Sequence, residues 1–130
     1  DIAHLGNRRV PSLSGGERAR AAFARVIAGR TGVLLLDEPT AALDLKHQEA
    51  VLSLARSRAA EGDAVIVVLH DLNLAGAYAD RIALLRQGSI AALGSPAEVL
   101  TASIVSAVYD SPVEVIPHPV TGRGIVLPLR

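Results

Sequence analysis

The 130 residues include no cysteine, no methionine and no tryptophan, with a single Phe and two Tyr. Without cysteine the chain can form neither a disulfide nor a thiolate metal site, which is compatible with a reducing compartment. Aromatics make up 2% and hydrophobic residues 50%, so a core has to be assembled from Ala, Val, Leu and Ile, the side chains that suit a parallel sheet under helices. Charge of one sign is also missing. Thirteen basic residues balance thirteen acidic ones, leaving nothing to attract a phosphate backbone or anionic lipid, and nucleic acid is not an expected partner. The longest apolar runs, residues 33–36 and 64–69, are strand-length and far below the ~20 residues that span a bilayer. Any membrane association is therefore expected to depend on a partner. The opening Asp1-Ile2-Ala3-His4 has neither the basic nor the apolar region of a signal peptide, and residue 1 is not expected to be the natural start. A chain of this size is about one small domain, or part of one.

What is present alternates between helical and strand periodicities. Residues 1–12 are mixed and polar and read as the tail of something that begins upstream. A helix is predicted from Ser14 to about Ala28, with Ala21, Ala22, Ala24, Arg25 and Ala28 as good formers, Phe23, Val26 and Ile27 as its apolar stripe, and Gly29 as its stop. Val33-Leu34-Leu35-Leu36 is a continuous apolar run cut off by Asp37-Glu38-Pro39, the pattern of a strand buried on both faces that ends in polar residues. A second helix is predicted over 45–60, with Val51, Leu52, Leu54 and Ala55 facing inward and Glu61-Gly62-Asp63 ending it. Residues 64–69 read as another buried strand, and strand, helix, strand with short joins is the unit of a parallel sheet. Asp71 opens a third helix to about Ala79. Residues 81–85 and 89–93 flank Gln87-Gly88 as a hairpin, giving the sheet an antiparallel edge. Ser95-Pro96-Ala97-Glu98 starts a short helix with Pro at its first position, a further helix covers about 102–109, and residues 113–116 and 125–127 can pair as a terminal ribbon. The fold class is α/β.

Three segments carry candidate chemistry. In Leu13-Ser14-Gly15-Gly16-Glu17, Ser14 and Glu17 alone amount to a capping box, which many ordinary helices have. Two adjacent glycines at a helix start are different. They weaken the helix locally while letting backbone N–H groups approach an anion that the helix dipole also attracts. Asp37-Glu38 places two carboxylates at the carboxyl end of an apolar strand, where a rigid core would hold them; in isolation the same tripeptide reads equally as a strand end in solvent. His70 directly follows the second strand, where a lone His is usually only a polar strand end.

Taken together and in order, these segments resemble the motifs of ATP-binding cassette (ABC) ATPases. Leu13 to Glu17, with Arg20 one turn on, looks like the signature motif, and residues 33–38 look like the Walker B strand. Ala41-Ala42-Leu43-Asp44 looks like the D-loop, where Asp44 is also a sound helix N-cap, and His70 looks like the switch histidine. The resemblance implies ATP and Mg²⁺ as ligands. It assigns Asp37 to Mg²⁺, reached through water. Glu38 would orient the attacking water, and His70 would contact the γ-phosphate. Ser14, Gly15, Gly16 and Glu17 would cap nucleotide held by the P-loop of a second copy of the chain. It further implies the C-terminal part of a RecA-like ATPase domain, mostly parallel sheet with helices and an antiparallel C-terminal edge. Residues 1–30 would end the helical subdomain and residues 31–130 would complete the core and tail. G-x-x-x-x-G-K-[ST] is nowhere in the chain, whose one Lys is Lys46, so the P-loop is expected upstream, its strand falling between residues 64–69 and 81–85.

The signature-to-switch block also occurs in the C-terminal lobes of DNA-repair and chromosome-structure ATPases, which carry a long heptad region before the signature. After His70, however, the chain reads Asp71-Leu72-Asn73-Leu74-Ala75 and then Tyr78-Ala79-Asp80, which resembles importers of haem, ferric siderophores and cobalamin. Ala59-Ala60-Glu61-Gly62 and the tail Pro117-His118-Pro119-Val120-Thr121-Gly122 are most similar to haem-importer ATPase subunits, with siderophore or cobalamin import as the alternative. The resemblance implies an ATPase dimer, membrane permease subunits and, indirectly, an external substrate-binding protein, placing the chain peripherally on the cytoplasmic face of a bacterial inner membrane. The four histidines, His4, His47, His70 and His118, lie in different segments without ligand-like spacing, and direct haem ligation is not expected.

Overall fold

The computed structural model describes residues 2–29, 31–41 and 43–130. Asp1, Arg30 and Ala42 lie outside the described residues, so the last residue of the expected helical segment and one residue of the D-loop are not placed. The chain forms two compact units, residues 1–69 and 70–130.

In the first unit, two single turns of 3-10 helix, Ala3–Leu5 and Val10–Ser12, precede α1 (Gly15–Ala28). The helix stops at Gly29 in an ordinary right-handed conformation, and Gly32 is left-handed (φ 71°) in the join to the sheet. Strand β1 (Val33–Asp37), helix α2 (Leu45–Ala60) and strand β2 (Ala64–Val68) follow, with the two strands parallel and Val33 opposite Ala64. The core forms where one face of this ladder meets the helices: Leu34, Leu36 and Ala55 are buried, with Phe23, Ile27, Val65 and Val67 packed against them.

Two expectations are corrected here. The apolar runs are not buried on both faces, since burial alternates along β1 and β2 and Leu35 and Ile66 are 67% and 61% exposed. Helices cover only one side of this ladder among the described residues, and period-2 geometry turns the alternate side chains to the other side. Leu54 is likewise outside, at 39% exposure. Val51, Leu52 and Ala55 define the inward face of α2, and at 3.6 residues per turn Leu54 sits roughly a quarter turn or more from its centre.

The second unit contains α3 (Leu72–Tyr78), β3 (Ile82–Arg86), β4 (Ser89–Gly94), α4 (Pro96–Val99), α5 (Ala102–Tyr109), β5 (Val113–Pro117) and β6 (Gly124–Pro128). The hairpin β3–β4 turns on Gln87 and Gly88, both at positive φ, as a two-residue turn matched to strand twist requires. β5 and β6 form the terminal antiparallel ribbon. β3 and β4 form their own two-stranded ladder. Ile82, Leu84, Val99, Leu100, Val105 and Val126 make this unit's core.

Asn73 ties α3 to the ribbon. Its Nδ2 donates to the Val126 carbonyl at 3.2 Å and its Oδ1 accepts from the Val126 N–H at 2.8 Å. Gly76, one turn on, packs so closely that a Cβ there would lie 2.8 Å from a Leu100 methyl. Because Val126 is buried, Asn73→Ala is expected to leave two backbone groups unpaired and to lower stability by about 1–3 kcal/mol in denaturant titration. A loss below about 0.5 kcal/mol would show that water replaces both bonds.

Candidate nucleotide-capping and hydrolytic site

Ser14 takes extended backbone angles (φ −63°, ψ 165°) and caps α1. Its Oγ accepts from the Glu17 N–H at 3.2 Å, and its own N–H donates to Glu17 Oε2 at 2.7 Å. The capping box is therefore present, with the Ser14 hydroxyl and the Glu17 carboxylate held side by side. The N–H groups of Gly15 and Gly16, at the first two helical positions, have no acceptor among the described residues, and a Cβ added at Gly15 would meet nothing within 4 Å. Nothing in this unit's own packing requires glycine at position 15. What the glycine leaves is an open backbone surface with two unpaired donors at the positive end of a 14-residue helix.

Glu17 is engaged on both oxygens. Oε2 takes the Ser14 N–H, and Oε1 lies 3.2 Å from Arg8 Nη1. The Ser14 backbone N–H is the main reason its carboxyl is held below the usual carboxylate range; partial burial opposes this, and the Ser14 side chain, Arg8 and Arg20 add to the lowering. Because the folded value is the depressed one, ionised Glu17 steadies the helix start above its ordinary value of about 4.5, and that contribution is lost as pH falls from there through the folded value. Amide exchange at Ser14 and Glu17 should thus accelerate below about pH 4.5, relative to the intrinsic rate, and Glu17→Gln should flatten that dependence because glutamine can still close the box. An unchanged acid dependence in the variant would assign it to another group.

Asp37 ends β1, opposite Val68, and is exposed. Glu38 continues the ladder by one bond, its N–H donating to the Val68 carbonyl at 3.1 Å, and then takes a positive φ of 46°. For a residue with a Cβ this conformation costs about 1–2 kcal/mol, and such strain concentrates at functional positions. Among the described residues no three His, Cys, Asp or Glu side chains converge as a metal cage. The donor set at this strand end fits a hard cation that takes one carboxylate and draws its other oxygens from phosphate and water, as Mg²⁺ does.

Asp44 caps α2 and accepts on Oδ1 from the His47 N–H at 3.0 Å, with His47 Nδ1 at 2.6 Å. The His47 backbone bond, then its ring, hold the Asp44 carboxyl below its usual range, and Arg20 adds to this. The positive charge of Arg20 favours the ionised form of both Glu17 and Asp44. Two residues not singled out from sequence complete the region. Gln48 Nε2 donates to the carbonyls of Leu43 (3.1 Å) and Thr40 (3.4 Å), holding the loop from below. Arg8 reaches the signature loop from the stretch that sequence read only as a tail. Neither has a motif spacing that would have exposed it. Ser14, Asp37, Glu38 and Asp44 all belong to the first unit, whereas His70 opens the second, ahead of Asp71, which caps α3 through the N–H groups of Asn73 and Leu74.

The chain is similar to known proteins. The sequence profile of the ABC transporter family matches residues 1–41. Over all 130 residues the chain is 63% identical to a hemin import ATP-binding protein, HmuV, of Streptomyces coelicolor and 59% identical to the HmuV of Thermobifida fusca, covering 46% of each. It spans about half the length of the curated relatives it matches. An inward-facing ABC transporter of metal-chelate type superposes with a TM-score of 0.83 at 32% identity, over 98% of this chain and 51% of that one. A dimeric ATP-binding cassette, MJ0796, carrying ADP and Pi superposes at 0.66 with 34% identity, over 72% of this chain and 40% of that one.

Proposed function

We propose that the chain is part of an ABC transporter ATPase and that the complete protein hydrolyses ATP as a dimer to energise import of haem. The observation that carries this reading is the pair of unpaired glycine N–H groups beside the Ser14 hydroxyl at the start of α1, a ready-made anion cap. In the proposed cycle, Ser14, Gly15 and Gly16 donate to the γ-phosphate of ATP bound by the other subunit. Asp37 would hold Mg²⁺, which when bound draws charge from the phosphate oxygens. Glu38 orients a water for in-line attack at the γ-phosphorus, and His70 donates to the γ-phosphate. Glu17, an acceptor on both oxygens, acts on nucleotide only by shaping the cap.

The closing partners are a second copy, membrane permease subunits and, through them, an external binding protein. No helix among the described residues is long and apolar enough to cross a membrane, which suits peripheral attachment to a permease on the cytoplasmic face of the inner membrane. Haem is favoured by the identities of 59–63% to hemin import proteins. A chelate such as a ferric siderophore or cobalamin is the second reading, supported by the metal-chelate-type neighbour. Vesicles holding the complete protein with the permease beside which it is encoded should accumulate haem only with Mg-ATP. Accumulation of ferric siderophore or cobalamin in place of haem would move the substrate to the second reading.

A further inference from the structure

Arg8 lies six residues before the first of the capping donors and outside every motif, yet its guanidinium spans the signature loop. Nη2 donates to the Ser12 carbonyl at 2.8 Å, before the loop, and Nη1 donates to Glu17 Oε1 at 3.2 Å, after it. The arginine is itself held in place, since its N–H donates to the Leu5 carbonyl at 2.9 Å and Leu5 is buried. A planar fork meets the two acceptors with two fixed nitrogens, whereas a lysine would have to serve both from one flexible ammonium. The bridge has a second effect. Glu17 is an anion one turn from N–H groups that would meet a polyphosphate, and pairing with Arg8 offsets its repulsion while its other oxygen stays on the Ser14 N–H. From these contacts we infer that Arg8 is a positioning residue for phosphate capping: it fixes the two ends of the Leu13–Gly16 loop and screens the Glu17 carboxylate, so that closure of the dimer on ATP depends on it although it touches no nucleotide.

This inference rests on the proposed ATP-driven dimer. With the Arg8 side chain 47% exposed, the expected effect is moderate. In the full-length protein carrying Glu38→Gln, so that nucleotide is retained, Arg8→Ala should raise the ATP concentration for half-maximal dimerisation by about three- to five-fold. Affinity of the monomer for a fluorescent ATP analogue and the thermal midpoint should stay at the parent's values. Arg9→Ala, which removes the same charge next door from a side chain that makes no hydrogen bond or ion pair among the described residues, should behave as the parent. Arg8→Lys should recover only part of the loss, and combining Arg8→Ala with Glu17→Gln should give less than the product of the single effects. Parent-like closure in Arg8→Ala, an equal loss in Arg9→Ala, or full recovery in Arg8→Lys would each overturn the bridge. A parent protein that binds no ATP or never dimerises on it would instead remove the ATPase reading, and the inference with it.

Discussion

Glu38→Gln in the complete protein is expected to lower ATP turnover by about 10²- to 10⁴-fold, the range lost when a group that handles the proton of an attacking water is removed. That is about 3–5 kcal/mol of barrier. The structure makes this a clean substitution. Glu38 has the left-handed φ of 46° and gives its N–H to the Val68 carbonyl, and glutamine meets the same backbone demand with the same shape. The variant therefore changes charge and basicity at the strand end without a new steric term. Asp37, the neighbouring carboxylate proposed for Mg²⁺, is left intact, so nucleotide affinity should change little. Turnover and affinity must be measured together. Near-normal turnover would take Glu38 out of the water-orienting role, and a parallel collapse of affinity would place the damage in the fold instead of the chemical step.

The local elements were legible because each is marked by residues whose chemistry is short-range. Ser14, Asp44 and Asp71 each precede a helix and each accepts from its first turn. Gln87-Gly88 sits where the backbone needs two positive φ values. What sequence misjudged was the surroundings. Residues 33–36 and 64–68 carry the continuous apolar pattern of strands covered on both faces, but α1 and α2 lie over only one. Leu35 and Ile66, on the other face, stay exposed. Leu54 was placed inward because it is apolar, not because its helical phase fits. Arg8 and Gln48 were missed for a different reason. Among their targets are the carbonyl oxygens of Ser12, Thr40 and Leu43, and a backbone acceptor leaves no mark in the residue type that bears it; the carboxylate that Arg8 also meets, Glu17, is nine residues on, at no motif spacing. The capping chemistry could be read as far as Ser14, the glycines and the Glu17 side of the capping box, but the pairing of the Glu17 carboxylate with Arg8 could not, since that partner comes from a stretch without a motif.

Ser14→Arg is expected to abolish closure of the dimer at the ATP that the altered signature would cap, with turnover at that site falling about 10²- to 10³-fold, the scale seen when donors aimed at an oxyanion are lost. Three effects act in the same direction. The guanidinium cannot accept from the Glu17 N–H, so the cap itself is lost, at about 1 kcal/mol. The serine hydroxyl, a group that can turn toward phosphate, disappears. Most importantly, a long side chain now stands beside Gly15, where open space within 4 Å is the room a second subunit's nucleotide would occupy. Ser14→Ala separates these contributions, because it removes the cap and the hydroxyl without adding bulk, and it should be impaired far less than Ser14→Arg. Mixed dimers give the decisive comparison. With one Ser14→Arg chain and one unaltered chain, the altered chain should bind nucleotide at its own P-loop normally, while the site opposite its signature, formed by the unaltered chain's P-loop, should fail to close and to turn over. If closure and hydrolysis survive at that opposite site, or if the defect follows the altered chain's own P-loop, the cap does not act across the dimer.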